Sequence, residues 1–231
     1  VSEASIWHEL TADALKFGFA ETVRRYAKVL AETPELPDGN VLRNPFRQFE
    51  KWYTEAAHEP QPNAMILATA THSGHPSARV VFLRKHGAKG FTFFTNYLSR
   101  KSKELAENPN AAVLFYWNSV GRQVRVEGEV TRVPQKESAA YFAGRPRESQ
   151  LSAWASVQSA DLRDTETLEK EMRKMRGKFH GKKIPLPPHW GGYRLTPREF
   201  EFWEQGHSGR LHTRLSYKKT GRTWRFSRLA P

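Results

Sequence analysis

The residues best placed to do chemistry in this chain are cations set among apolar and hydroxyl neighbours. Arg79 sits in Ser77-Ala78-Arg79-Val80-Val81-Phe82-Leu83, where an unpaired guanidinium would be costly to bury and needs a partner. Ser99 is a good helix N-cap, yet Arg100 and Lys101 follow it, the wrong sign for the positive end of a helix dipole. An anion would repair that, and free backbone N–H groups, a hydroxyl and two cations at one helix start suit a phosphate. The plainer alternative is that Arg79 snorkels to water and the other two are solvated surface. Further cations fall in or beside strand-like runs (Arg84, Arg125, Arg210, Arg214), with the polar groups Gln123, Ser149, Gln158 and Ser159 and the aromatics Tyr141 and Trp203. Together they suit a flat, phosphorylated heteroaromatic ligand: Arg and Ser for the phosphate, amides for ring edges, an aromatic ring for a face. Taken singly, each reads as ordinary strand polarity or surface charge, and Trp203 as core.

The elements that must position these groups follow from periodicity and punctuation. Leu10, Ala14, Phe17 and Ala20 predict a helix within residues 5–32, ahead of Arg24-Arg25-Tyr26. Asn44-Pro45 starts a second helix, with Phe46, Phe49, Trp52 and Tyr53 as a core stripe. Met65–Ala70, Ser77–Leu83 and Phe91–Thr95 read as strands, the last two as a hairpin about the 86–90 turn. A helix from Ser99 precedes two long strands, Ala111–Trp117 and Gln123–Arg132. The second alternates Gln123, Arg125, Glu127 against Val124, Val126, and Gly128 marks a bulge. Helices follow over Pro134–Ala143, around Leu151–Ala155 and over Asp161–Arg176, then a Pro-rich basic loop over Gly177–Pro188. Gly192–Leu195, Phe200–Trp203, Leu211–Tyr217 and Trp224–Leu229 complete a mainly β chain with inserted helices (α+β), which suits an antiparallel barrel decorated by helices. The expected division is an N-terminal helical extension over 1–43 and one domain over 44–231.

Composition narrows the classes. No apolar run approaches the roughly eighteen residues of a membrane span, and no N-terminal segment has the make-up of a secretion signal, so a cytoplasmic address is expected. There is no cysteine, hence no disulfide, thiolate metal site or thiol nucleophile. A net charge of +13 points to anionic partners, but the basic residues are spread along the chain, which argues for phosphorylated small ligands and against nucleic acid. Phosphate-loop, dinucleotide, zinc-protease, serine-hydrolase and calcium-loop motifs are all missing, and His72 and His75 lack further ligands in sequence for a metal.

Eight separated segments carry a resemblance: SARVVFLRKHG, GFTFFTNYLSRK, FYWNSVGRQVRVEG, YFAGRPRESQLSAW, WGGYRL, EFWEQG, RLHTR and SRLAP. In order and spacing they resemble the pyridoxine (pyridoxamine) 5'-phosphate oxidases, over roughly Asn44 to Pro231. The resemblance implies a dimeric FMN-binding split β-barrel, with one FMN at each of two sites between subunits. Implied FMN contacts are Arg79, Val80, Val81, Phe82, Phe94, Thr95, Arg100, Lys101, Gln123, Gln158, Ser159, Trp203 and Arg214. Implied substrate contacts are Arg84, Tyr141, Arg145 and Ser149 at the phosphate, with Arg210, Leu211 and His212 at the ring; Arg210 and His212 are the implied catalytic pair. Arg24-Arg25-Tyr26 resembles the family's N-terminal substrate-covering segment.

The implied reaction is oxidation of pyridoxamine or pyridoxine 5'-phosphate at the 4' carbon by hydride transfer to FMN, with O2 reoxidising the flavin and releasing hydrogen peroxide. The implied partners are a second copy of the chain, phosphorylated B6 vitamers and O2, without nucleic acid or membrane. Three departures bear on substrate: Arg84 where the family usually has Lys, Thr213 where RLHDR has Asp, and one extra residue between Trp203 and Arg210. A related FMN oxidase of phenazine-biosynthesis type, and a non-catalytic flavin-binding or nucleic-acid-binding barrel, stay open on sequence.

Overall fold

The computed structural model describes residues 21–22, 41–156, 158–159, 165–206 and 211–230. The Arg24-Arg25-Tyr26 cluster, most of the 5–32 helix, Asp161, Asp164 and the 207–210 turn with Arg210 lie outside the described residues. The described elements are, in order, α1 (Pro45–Glu55), β1 (Ala64–Ala70), β2 (Pro76–Phe82), β3 (Phe91–Asn96), α2 (Arg100–Glu107), β4 (Asn110–Trp117) and β5 (Arg122–Arg132). Then come α3 (Gln135–Ala143), α4 (Arg147–Ala155), α5 (Thr165–Lys178), β6 (Trp190–Glu204), β7 (Thr213–Thr220) and β8 (Thr223–Leu229).

The strands form one antiparallel sheet ordered β2-β1-β4-β5-β6-β7-β8, with β3 on the first half of β6. The expected β2–β3 hairpin does not form. β2 pairs with β1 and β3 with β6, and β3 bonds back only to the segment just past β2, at an isolated Lys85–Thr92 bridge. The chain turns against β6 at Gly90 (φ 112°), where a Cβ would lie 2.1 Å from the Leu195 carbonyl oxygen. The 86–90 turn thus hands the chain across to β6. One bridge closes the ring β2-β1-β4-β5-β6-β3, so the barrel is joined along most seams and nearly open at one.

β6 also differs from expectation, since the two short strands read over 192–203 are one continuous strand. Pro197, which has no N–H to donate, falls opposite Gly128, where the register shifts. A Cβ on Gly128 would meet the Thr196 carbonyl oxygen at 2.1 Å, so the bulge expected there carries the strand past its proline. Inside, the α1 stripe fills the barrel as predicted. Asn44 Oδ1 accepts from the Phe46 and Arg47 amides, and Phe49 packs edge-on against Phe91 and Phe115 at 4.8 and 5.0 Å. Val124 and Val126 are fully buried on the inner face of β5. A second, smaller core of Phe142, Leu151, Met175, Phe179, Ile184 and Trp190 holds α3–α5 beside the start of β6. That second core walls one side of the cleft described next.

Candidate active site

A cleft of about 700 Å³ runs from β2 and the start of α2 to α3 and Trp190. It gathers most of the expected contacts: Arg79, Val80, Val81, Phe82, Arg84, Phe94, Thr95, Arg100, Lys101, Tyr141, Arg145, Gln158 and Ser159 all line it. Strand alternation sorts the β2 groups, because Val81 belongs to the barrel core while Val80 is 60% exposed, so Val81 meets the cleft through its backbone. Ser159 has φ 70°, the left-handed region that a non-glycine residue occupies at a cost and chiefly at functional turns.

At one end of the cleft the cations are held by the protein itself. Arg79 Nη1 donates to the Leu67 carbonyl at 3.2 Å and to Thr69 Oγ1, and Nη2 to Ser77 and to Glu104 Oε2 at 3.2 Å. Arg100 Nε donates to Glu104 Oε1 at 2.8 Å. Lys101 is 7% exposed, and its Nζ donates to Thr95 Oγ1, Ser99 Oγ and Gln158 Oε1, each at 3.2 Å. Burial, with Arg79 nearby, brings its pKa down to about 8. Ser99 does precede α2, but its hydroxyl turns inward to the Asn96 carbonyl at 2.7 Å and caps nothing. The phosphate-binding hydroxyl expected there is therefore spent elsewhere.

The other end is different in kind. Phe94, Tyr141 and Trp190 form a parallel stack, Phe94 lying 4.0 Å from Tyr141 and 5.6 Å from Trp190. The Arg145 guanidinium lies over Trp190 at 4.7 Å, and that of Arg84 over Tyr141 at 5.9 Å. Arg145 Nη1 is buried and has no hydrogen-bond partner among the described residues. Burial lowers its pKa, and the like charge of Arg84 adds to the effect. Two cations facing one gap with an unused buried donor call for an anion.

The remaining expected residues lie elsewhere. Gln123 and Trp203 are opposite each other on β5 and β6, Trp203 and Arg214 on β6 and β7. His212 lies 4.7 Å from the Trp203 ring, and Leu211 precedes it. Burial lowers the His212 pKa, and its Nδ1 accepts from the Gly206 amide at 3.4 Å. Arg214 is tied to Glu201 and to the Ala230 carbonyl. His212 and Arg214 therefore share the Trp203 face. Thr213 instead borders a separate cavity with Arg122 and Glu204, so this departure from RLHDR is not beside the cleft. Ser149, on α4, is half-buried and does not line the cleft either.

Sequence reasoning missed Glu104, Thr69, Ser77 and Trp190. Glu104 follows Arg100 by four residues, a helix-pair spacing that was visible; the contributions of Thr69 and Trp190 depend on tertiary pairing. The donor set fits FMN: cations at one end for a phosphate, exposed β2 edge and aromatic faces beyond it for a flat ring system.

Known proteins give the same answer. Residues 54–179 match the family model described as pyridoxamine 5'-phosphate oxidase, and residues 190–231 match that of the pyridoxine 5'-phosphate oxidase C-terminal dimerisation region. The chain is 49% identical over 211 residues to a pyridoxine/pyridoxamine 5'-phosphate oxidase of Rubrobacter xylanophilus, covering 90% of this chain and 94% of that one. It is 50% identical over 201 residues to the Burkholderia mallei protein of the same name, covering 85% and 93%. Among solved structures, PhzG from Burkholderia lata 383, in complex with tetrahydrophenazine-1-carboxylic acid, superposes with TM-score 0.79 at 33% identity, covering 86% of this chain and 98% of that one. An FMN-binding, pyridoxamine 5'-phosphate oxidase-related protein from Nostoc punctiforme shares the fold at TM-score 0.67 and 16% identity, covering 83% and 100%. With the barrel, the cleft and these matches in agreement, the chain belongs to the pyridoxamine 5'-phosphate oxidase family of FMN-dependent oxidoreductases.

Proposed function

We propose that this protein oxidises pyridoxamine 5'-phosphate and pyridoxine 5'-phosphate to pyridoxal 5'-phosphate, acting as a homodimer. FMN, when bound, supplies hydride acceptance and reoxidation by O2; the chain supplies binding, orientation and charge. Arg79, Arg100 and Lys101 hold the flavin phosphate, and the exposed β2 edge with Phe94 and Thr95 borders the ring. Arg84, Tyr141 and Arg145 take the substrate phosphate. The observation that carries this reading is the second cation pair, with the buried Arg145 Nη1 lacking a hydrogen-bond partner among the described residues, at the far end of the cleft from Arg79, Arg100 and Lys101. The Gln123, Trp203, His212 and Arg214 cluster belongs to the partner's site in this scheme. Along β6, Trp203 is thirteen residues beyond Trp190, roughly 40 Å of extended strand, which argues for two chains completing each site. There, His212, whose Nδ1 accepts from the Gly206 amide, would present its Nε2 edge to the substrate, and Arg210 would face the substrate ring.

The test is O2 consumption by the FMN-loaded protein with pyridoxamine phosphate, pyridoxine phosphate, both unphosphorylated vitamers and a tetrahydrophenazine carboxylate. Phosphorylated vitamers should turn over with kcat/KM about 100-fold or more above the unphosphorylated ones, as for losing charge-assisted contacts worth about 3 kcal/mol. Equal turnover with and without the phosphate, or preference for the phenazine carboxylate, would overturn this substrate assignment.

A further inference from the structure

Glu104 is a buried charge for which neither the fold nor the proposed chemistry has a use. Its side chain is 4% exposed, on the inward face of α2. Oε2 accepts from Thr69 Oγ1, from Ser77 Oγ at 2.6 Å and from Arg79 Nη2 at 3.2 Å, and Oε1 accepts from Arg100 Nε. The directions are forced: guanidinium groups only donate and a carboxylate only accepts, so each hydroxyl takes a bond from Arg79 and passes its own proton to Glu104. Burial alone would raise the Glu104 pKa, but the bonds from Ser77, Thr69, Arg100 and Arg79 outweigh it and bring it down to about 2. If this position served packing alone, an apolar side chain would cost less.

We propose that Glu104 is a positioning residue for the flavin phosphate, fixing Arg79 and Arg100 before the cofactor arrives and setting the charge of their site. The inference rests on reading that end of the cleft as the flavin-phosphate site. With Nε anchored on Glu104, Arg100 keeps the four N–H groups of its two terminal nitrogens for a ligand. Arg79, with both terminal nitrogens engaged by Leu67, Thr69, Ser77 and Glu104, is held in one orientation and offers Nε–H and its charge. Three cations against one carboxylate leave a net charge of about +2, matched to the −1.5 to −2 of a phosphate monoester. The order is built in beforehand, so the ligand does not bear the cost of fixing two long side chains.

The experiment titrates the apoprotein with FMN and with riboflavin, followed by flavin fluorescence, for the parent protein, Glu104→Gln, Ser77→Ala and Arg79→Ala. The quantity read is the ratio of riboflavin Kd to FMN Kd, which isolates the phosphate. A Gln that keeps its carbonyl on Thr69, Ser77 and Arg79 must turn its NH2 toward the Arg100 Nε–H, donor against donor, and so releases Arg100. Glu104→Gln should therefore lower the ratio about tenfold or more, the loss expected for charge-assisted contacts, with riboflavin affinity nearly unchanged. Ser77→Ala should lower it less, in the same direction, and serves if Glu104→Gln does not fold. Tighter FMN binding by Glu104→Gln, or equal loss for both flavins, would overturn the positioning role. An Arg79→Ala protein with an unchanged ratio would instead show that the flavin phosphate binds elsewhere.

Discussion

The two ends of the cleft treat their cations in opposite ways. Around Arg79, Arg100 and Lys101 the protein provides Glu104, Thr95, Ser99 and the Leu67 carbonyl as partners, so charge is present but already ordered. Around Arg84 and Arg145 it provides aromatic faces and leaves a buried nitrogen without a hydrogen-bond partner among the described residues. A group that stays bound benefits from the first design, since ordering is complete before it arrives. A group that enters and leaves at each turnover suits the second, where an unmet donor favours its arrival and no competing carboxylate has to be displaced. The difference supports the proposed division, with the resident cofactor at one end and the exchanged substrate at the other.

The largest effect should come from removing the unmet charge. Arg145→Met is expected to lower kcat/KM for the phosphorylated vitamer by about 10- to 100-fold, the loss of a charge-assisted contact. FMN content should stay normal. The apoprotein should keep or raise its Tm, because an apolar side chain of similar volume removes the desolvation cost of a half-buried guanidinium whose Nη1 has no hydrogen-bond partner among the described residues. Steady-state kinetics, flavin absorbance and thermal melts read the three outcomes; a drop in FMN content together with activity would erase the distinction between the two ends.

Most of this contrast was legible in residue types, but not in partners. The cations, the aromatic stripe of α1, the alternation in β5 and the bulge at Gly128 are local signals and appear in the structure as read. The β2–β3 hairpin failed because local turn chemistry resembles a hairpin whichever strand β3 later joins, and Gly90 reports close approach without naming Leu195. The two short strands over 192–203 failed for a related reason: Pro197 reads as a stop until Gly128 is placed opposite it. Glu104 was passed over because an acid on a short charged helix looks solvated, and only the packing of α2 onto β1 and β2 buries it. Arg210 was visible as a cation beside a strand, its catalytic role came through resemblance, and its place lies outside the described residues.

A pH titration should separate the two ends more finely. Lys101, with a pKa of about 8 in the free protein, regains a higher value when a phosphate dianion neutralises its surroundings. The bound state then holds more protons than the free one, so FMN should bind most tightly below about pH 8 and weaken above it, by at most about tenfold per pH unit. Riboflavin should show no such slope. The same depressed pKa means the unfolded chain binds the extra proton between about 8 and 10.5, so Lys101 makes apoprotein stability rise with pH across that window. The substrate end relies on guanidinium groups, which stay charged throughout, and its phosphate selectivity should be flat from pH 7 to about pH 9. A matching slope at both ends would show that the lysine is not what distinguishes them.

The smallest effect concerns Thr213, whose departure from the family's Asp looked from sequence as if it touched substrate. It borders a cavity of about 220 Å³ shared with Arg122, Glu55 and Glu204, on the face of β7 away from His212 and Arg214. Arg122 is already paired with both carboxylates, to Glu204 at 2.6 Å and to Glu55, so it has little to offer a third acid, and Lys51 is the other cation at this cavity. Thr213 also lies directly across from Glu204 in the β6–β7 ladder, and like charges at such a pair destabilise by about 0.2–1 kcal/mol. Thr213→Asp should therefore lower Tm by roughly 1–4 °C for a chain of this size and leave kcat/KM and FMN affinity within about twofold of the parent, differences under about 0.5 kcal/mol. A kcat/KM that rises tenfold on restoring the Asp would instead mean that this face of β7 reaches the substrate in the dimer, and that the departure tunes the reaction as well as the fold.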